Sequence, residues 1–306
     1  MEDYLNTAKE LVDNLALEPA KQAKPRNFNM LSTELSDRDF RRFSALVYEK
    51  CGINLHHGKK ELVRARLAKR LRETGFKNFN AYYRFVTQED NGNELVRMLD
   101  AISTNLTSFF REEKHFDFLK QVVFPTYAAG KSRTGFRKAR FWSAGCSTGE
   151  EPYSLAILLL EYFGKNPNFD ARILATDIST KVLAQAKRGV YPAVRLEKIP
   201  AHVVRKYFQR GYGDQESYFR AKPSLRQMIE FKRFNLMEPL PFKEAFNLIV
   251  CRNVMIYFDK KTQQSLVDKF YDALLEGGYL FIGHSETLTG IEHQFKYVRP
   301  SVYHRL

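Results

Sequence analysis

Carboxylates, glycines and a guanidinium recur at the ends of apolar runs in this chain, which is where an α/β protein meets its ligands. The segment FWSAGCSTGEEPYSLA (141–156) passes from an apolar stretch into a turn holding Gly145 and Gly149, and Pro152 then suits the first turn of a helix. Glycines in such a turn let a ligand approach the backbone, although the spacing is not the G-x-G-x-x-G of dinucleotide folds. One helix later, ILATD (173–177) ends on Asp177, placed to accept hydrogen bonds from both hydroxyls of a ribose. Its competing role is a helix cap, because Asp177 and Ser179 precede the helical pattern at 180–187. A Gly turn followed by a strand-terminal Asp favours an adenosine ligand.

Two more segments carry polar groups at suggestive places. In LIVCRNVMIYFD (248–259) an apolar strand ends at Cys251, with Arg252 and Asn253 at the carboxyl edge where open α/β sheets bind ligands. Tyr257 follows; its plainer role is packing beside Phe258. In TNLTSFFRE (104–112), Asn105, Thr107 and Arg111 alternate with Leu106, Phe109 and Phe110. That is too aromatic for a plain linker and fits a segment at the mouth of a cleft between domains.

These residues need elements to hold them. Ser36 can cap a helix with Asp39 at its third position, Phe40, Phe43 and Val47 form its apolar stripe, and Gly52 ends it. Further helices are expected at 58–74, 79–88 and 93–103, so residues 34–104 read as a small helical domain. Strand–helix alternation begins after residue 112, with strands at Ala139–Ser143, Ala171–Ala175, Phe246–Cys251 and Tyr279–Ile282 and helices at Tyr153–Phe163 and Lys260–Leu275. This predicts an α/β domain, 105–306, built on a parallel sheet with helices on both faces. Phe295–Arg305 is expected to add a last strand. Residues 191–231 read as an insertion outside the main sheet, and 1–33, with the polar stretch AKQAKPRN, as a loosely ordered leader.

Composition narrows the function classes. The chain has 306 residues, 44% hydrophobic, which suits two globular domains and argues against global disorder. Its longest apolar stretch, Leu155–Leu160, is far short of the roughly 18 residues of a membrane span. The N-terminus has no signal pattern, so a cytoplasmic protein without membrane insertion is expected. Cys51, Cys146 and Cys251 are widely separated and odd in number, which excludes a disulfide framework; no Cys/His cluster has metal-ligand spacing, so no metal is expected. The net charge of +14 favours an acidic partner. Between His57 and Lys77, eight basic side chains (Lys59, Lys60, Arg64, Arg66, Lys69, Arg70, Arg72, Lys77) face only Glu61 and Glu73. This is either a solvated helix face or a docking face.

TNLTSFFRE, WSAGCSTGEEPYSLA, ATDIS, FNLM and CRNVMIYFD, with GGYLFIGHSE at 277–286, resemble in order and spacing the bacterial chemotaxis receptor glutamate O-methyltransferases of the CheR type. The resemblance covers roughly residues 34–306. It implies a Rossmann-like class I methyltransferase sheet with a small all-helical N-terminal domain and a β-subdomain insertion at about 191–231, with RGYGDQESYFR as its hairpin. It implies S-adenosylmethionine as cofactor, S-adenosylhomocysteine as product, and glutamate side chains on the cytoplasmic helical bundle of chemoreceptors as acceptors. By motif, Asn105, Thr107 and Arg111 approach the cofactor from the linker, Glu151 faces its methionine portion, and Asp177 holds the ribose. Asn235 and Leu236 flank the adenine, with Asn235 able to bond its edge, while Arg252 and Asn253 line the floor. Tyr257 stands near the transferred methyl, and Arg111 and Tyr257 lie beside the acceptor carboxylate. The basic helix then gains an acidic receptor partner, and some family members bind a receptor's C-terminal peptide through the β-subdomain.

Three rival readings remain at this level. The charge also suits a nucleic-acid methyltransferase, but no Asn/Asp-Pro-Pro-aromatic motif is present and the basic residues cluster in the helical half. An adaptor without turnover and an NAD-dependent dehydrogenase are the others; the Gly spacing opposes the last.

Overall fold

The computed structural model describes residues 34–128, 138–164, 170–241 and 245–306; the expected leader lies outside them. Helix α1, Asp37–Cys51, starts where Ser36 Oγ accepts the Asp39 N–H and stops at Gly52, whose φ of +73° closes the last turn onto the Tyr48 carbonyl. Helices α2 (Lys60–Thr74), α3 (Phe79–Arg84, prolonged by a wider turn to Glu89) and α4 (Asn93–Ile102) pack with α1 around Phe43, Val47, Val63, Leu67, Tyr82 and Met98. Arg70 of α2 turns into this packing: it binds the buried Glu94 carboxylate through Nε at 3.0 Å and Nη2 at 2.8 Å, and Tyr82 Oη donates to the same carboxylate at 2.8 Å.

After the linker come α5 (Glu113–Phe118), a wide turn over Leu119–Val123 and α6 (Phe124–Ala128), helices the sequence reading did not place. The sheet then follows: β1 (Lys138–Ala144), α7 (Glu150–Phe163), β2 (Asp170–Asp177), α8 (Thr180–Arg188), β3 (Val190–Pro192), α9 (Ala201–Tyr207), β4 (Phe208–Arg210), β5 (Tyr218–Ala221), α10 (Pro223–Arg226), β6 (Ile229–Arg233), β7 (Phe246–Cys251), α11 (Lys260–Ala273), β8 (Leu274–Ile282), β9 (Lys296–Arg299) and β10 (Val302–His304). The main sheet has the order β6-β2-β1-β7-β8-β10-β9; its first five strands run parallel and the last two form an antiparallel hairpin.

Three expectations need correction. The sheet is mixed rather than parallel throughout. The expected single last strand is two, because Pro300–Ser301 turns the chain, with Ser301 at φ +60°. The insertion ends earlier than expected: β3, β5 and β4 form a separate three-stranded antiparallel sheet, whereas Ile229–Arg233 pairs in parallel with Ile173–Asp177 at the edge of the main sheet. Only Ile229 of that strand is buried, so it carries no apolar run to betray it. The hairpin over 210–220 forms as β4 and β5.

Candidate active site

Strand order reverses at β1: β2 lies on one side and β7 on the other, so their carboxyl ends leave a crevice there. The β1–α7 turn is drawn over it by Gly145 and Cys146, whose N–H groups donate to the Thr176 carbonyl at 2.8 and 2.9 Å. Gly145 has φ +81°, and a Cβ on it would stand 2.5 Å from Val254 Cγ2, so glycine is required on both counts.

A cavity of about 360 Å³ fills the crevice, within the size range of small-molecule sites. All ten residues singled out from the sequence line it: Asn105, Thr107, Arg111, Glu151, Asp177, Asn235, Leu236, Arg252, Asn253 and Tyr257. They arrive from five separate segments. The helical half supplies the facing wall with Ile53, Asn54, Leu55, Lys59 and Leu62, which the sequence reading did not assign.

That wall is fastened to the sheet side. Tyr48 Oη donates to Asp259 Oδ2 at 2.7 Å, Asn54 N–H donates to the Tyr257 carbonyl at 2.7 Å, and Ile53 forms an antiparallel bridge with Phe258. Asp100 of α4 accepts from the Thr180 N–H and hydroxyl at 3.1 and 2.9 Å. The linker is held as well. Asn105 O accepts from Ser147 Oγ at 2.9 Å, Thr107 O from Arg195 at 2.8 Å, and Phe109 is buried edge-on against Tyr191 and Phe208. Arg111 lies back along its own segment, donating to the Leu106 carbonyl at 2.9 Å.

The electrostatics centre on buried charges. Arg252 donates through Nε to Glu151 Oε2 at 2.7 Å and through Nη1 to the Arg111 carbonyl, and stands 3.6 Å from Glu112 Oε2. Glu151 Oε1 accepts from Ser143 Oγ at 2.6 Å. The Glu151 charge is thus already matched by a guanidinium rather than bare, which qualifies the expectation that it faces an ammonium. Asp177 accepts the Ser147 N–H at 2.8 Å and the Ser179 N–H at 2.9 Å; burial raises its pKa above the ordinary value while these N–H groups oppose the shift. Each oxygen keeps a lone pair for a further donor. The helix-cap role belongs to Ser179, whose hydroxyl accepts the Val182 N–H. Asn235 spends its side chain inside the protein, donating to the Lys50 carbonyl at 2.7 Å and accepting the Met237 N–H at 3.1 Å. The expected bond from its amide to an adenine edge therefore competes with these two.

Sequence reasoning missed Glu286. Its buried carboxylate accepts N–H groups of Asn253 (2.9 Å), Ile256 (3.1 Å) and Gly283 (2.5 Å), so it shapes the loop that carries Arg252 to Tyr257. An acidic residue just past the end of β8 was the available signal. Also missed were Glu112 and His115. Burial first, then the Arg252 charge, push the His115 imidazole down to about 3, so the ring is neutral. Every non-glycine residue with positive φ among the described residues lies in or beside this region: Phe110, Glu112, Ser147, Asn253 and Ser301. Such strain collects at functional sites because surrounding packing must enforce it.

Comparison with known proteins decides the family. Residues 38–103 match the CheR methyltransferase all-alpha domain and residues 105–304 the CheR methyltransferase SAM binding domain. The chain belongs to the CheR methyltransferase family. It is 44% identical over 279 residues to the chemotaxis protein methyltransferase of Borreliella burgdorferi, covering 90% of this chain and 95% of that one. The counterparts in Salmonella typhimurium (38%, covering 88% and 90%) and Escherichia coli (37%, covering 88% and 91%) follow. As a CheR family member the chain is an S-adenosylmethionine-dependent methyltransferase with an α/β sheet and an all-helical N-terminal part. Its cavity suits that cofactor. Phe234, Leu236, Ile178 and Val254 offer an apolar surface for a base, Asp177 offers acceptors, and Gly145 lets the turn pack closely against Val254 at the cavity wall.

Proposed function

We propose that this protein transfers the methyl group of S-adenosylmethionine to glutamate side chains on the cytoplasmic helices of chemoreceptors, giving methyl esters for adaptation in chemotaxis-type signalling. The observation that carries this reading is the convergence of Arg111 and Tyr257 with Asp177 and Glu151 on one cavity whose opposite wall is the helical half. When bound, the cofactor supplies an activated methyl on a sulfonium. The acceptor glutamate, with pKa ≈ 4.3, is ionised at neutral pH, so the protein needs no strong base. Its work is alignment and exclusion of water, and alignment alone lowers barriers by up to ~7–11 kcal/mol in the best cases.

In this reading Asp177 binds the ribose and Leu236 flanks the adenine, with the polar contact there passing to the backbone around Asn235. Asn105 and Thr107 close the linker side, Glu151 with Arg252 holds the amino-acid end, and Asn253 completes the floor. Arg111 and Tyr257 position the acceptor carboxylate. Arg111 orients without gripping, since a tight pair would stabilise the ground state and slow attack. Residues 34–104 dock the receptor, 105–306 carry the cofactor, and the β3-β5-β4 sheet is the place for a receptor tail peptide. The protein works in the cytoplasm and takes neither nucleic acid nor membrane as substrate.

The test is methyl transfer from labelled cofactor to a purified receptor cytoplasmic fragment, with RNA and DNA as alternative acceptors, beside calorimetry with S-adenosylhomocysteine. Base-labile label on the receptor, lost together with cofactor binding in Asp177→Ala, is the expected result. Label on nucleic acid and none on receptor overturns the assignment; wild-type receptor binding without turnover supports an adaptor.

A further inference from the structure

Beside the cavity, two buried polar atoms face one another, neither of them hydrogen-bonded among the described residues. Glu112 directly follows the cavity-lining Arg111, and its strained backbone (φ +59°) turns the side chain inward. Oε1 accepts the His284 N–H at 3.1 Å, while Oε2, an ion-pair distance of 3.6 Å from Arg252 Nη1, is buried without a hydrogen-bond partner among the described residues. His115, 3% exposed, places Nε2 2.8 Å from Ser301 Oγ; its Nδ1 is also buried without a partner. The two orphaned atoms stand 3.5 Å apart. A buried polar atom left without a hydrogen bond is unfavourable, and here there are two at one point.

A third ligand stands next to them. His284 lies just past β8 with its ring exposed, 5.0 Å centroid to centroid from His115, and the three potential ligand atoms lie within 4.8 Å of one another. The Arg252 guanidinium beside Glu112 spends Nε on Glu151 and Nη1 on a backbone carbonyl, so neither of these bonds reaches Glu112 Oε2.

We propose that Glu112, His115 and His284 bind a divalent transition-metal ion of the zinc type. The carboxylate Oε2 and the His115 Nδ1 form its inner ligands, and the exposed His284 closes over it by side-chain rotation. Ligands about 2.1 Å from a tetrahedral ion stand about 3.4 Å apart, close to the separation the two buried atoms already have. Two imidazoles and one carboxylate form a known zinc-binding set that leaves a fourth position for water, whereas magnesium and calcium prefer oxygen ligands. The ion ties the segment after Arg111 to the segment before Ser285, both of which contribute to the cavity wall.

The experiment is equilibrium dialysis of the full chain against zinc sulfate with elemental analysis, repeated on His284→Ala and Glu112→Gln, with thermal melting in parallel. His284 is exposed, so His284→Ala tests the site without disturbing the core. One zinc per chain in the wild type, affinity at least about tenfold lower in both variants, and a zinc-dependent rise in Tm confined to the wild type are expected; ligand loss at comparable sites costs 10–100-fold. No zinc bound by the wild type overturns the proposal. So does zinc bound equally by wild type and His284→Ala, which would place it on other surface histidines.

Discussion

Arg252 illustrates how one residue can be both wall and keystone. Its guanidinium lies buried between the Glu151 and Glu112 carboxylates, so removing it leaves two anions facing each other out of water. Breaking a buried pair in this way costs about 3–5 kcal/mol, and Arg252→Ala is expected to lower the urea unfolding midpoint accordingly. Asp177 yields a pH prediction whose two parts have opposite sign. Burial raises its folded-state pKa, so as pH falls the folded chain takes up this proton before the unfolded chain does, and this residue's contribution to stability rises. The protonated carboxyl offers a ribose less, so affinity for S-adenosylhomocysteine is expected to decline at a pH above the ordinary 3.8, with Asp177→Asn showing no such decline in calorimetry. The three cysteines are buried and free, and burial pushes their thiols up, Cys51 to about 11, which suits them as packing groups.

Among the elements, local signals were legible, while an edge strand and the division of another strand were not. Ser36 and Gly52 announce both ends of α1 because caps are local chemistry, and the Phe246–Cys251 run gives β7 its observed bounds because a strand buried throughout needs no alternation. Strand β6 is an edge with one buried residue and so has no apolar pattern to read, while the strand expected over 295–305 is present but divided at Pro300–Ser301 into β9 and β10. The site followed the same logic. Residues at strand ends within quoted motifs could be found one by one, whereas Glu112, His115 and Glu286 gain meaning only from partners far away in sequence, such as Ser301 or the Asn253 amide. The β1–α7 turn offers a test of element geometry. Gly145→Ala incurs about 1–2 kcal/mol of left-handed backbone cost and displaces Val254. Adding Val254→Ala is expected to recover the steric share of lost stability and cofactor affinity but not the backbone share, as read by thermal melting and calorimetry.

For the whole molecule, the surface charge is smaller in effect than the sequence count implies. Arg70 is consumed by Glu94, Arg66 reaches the carbonyls of Ile102 and Ser103, and Lys60 and Arg64 meet Asp37 and Glu61. A docking face on α2 therefore rests on Arg72 and on Lys69, which meets Glu73 only at 3.9 Å, with Lys59 just before the helix, and salt dependence of receptor binding is expected to respond to Lys69 and Arg72 but not to Arg70. The Ile53–Phe258 bridge and the Asn54–Tyr257 hydrogen bond have a consequence for descent. The backbone beside the catalytic candidate Tyr257 is held in part by the other half of the chain, so the two halves form one unit of inheritance rather than two interchangeable parts. A hybrid carrying a relative's helical half should fold, bind cofactor poorly and transfer little methyl until residues around 53 and 258 are exchanged together, since a recombination point between the halves separates two sides of a single wall.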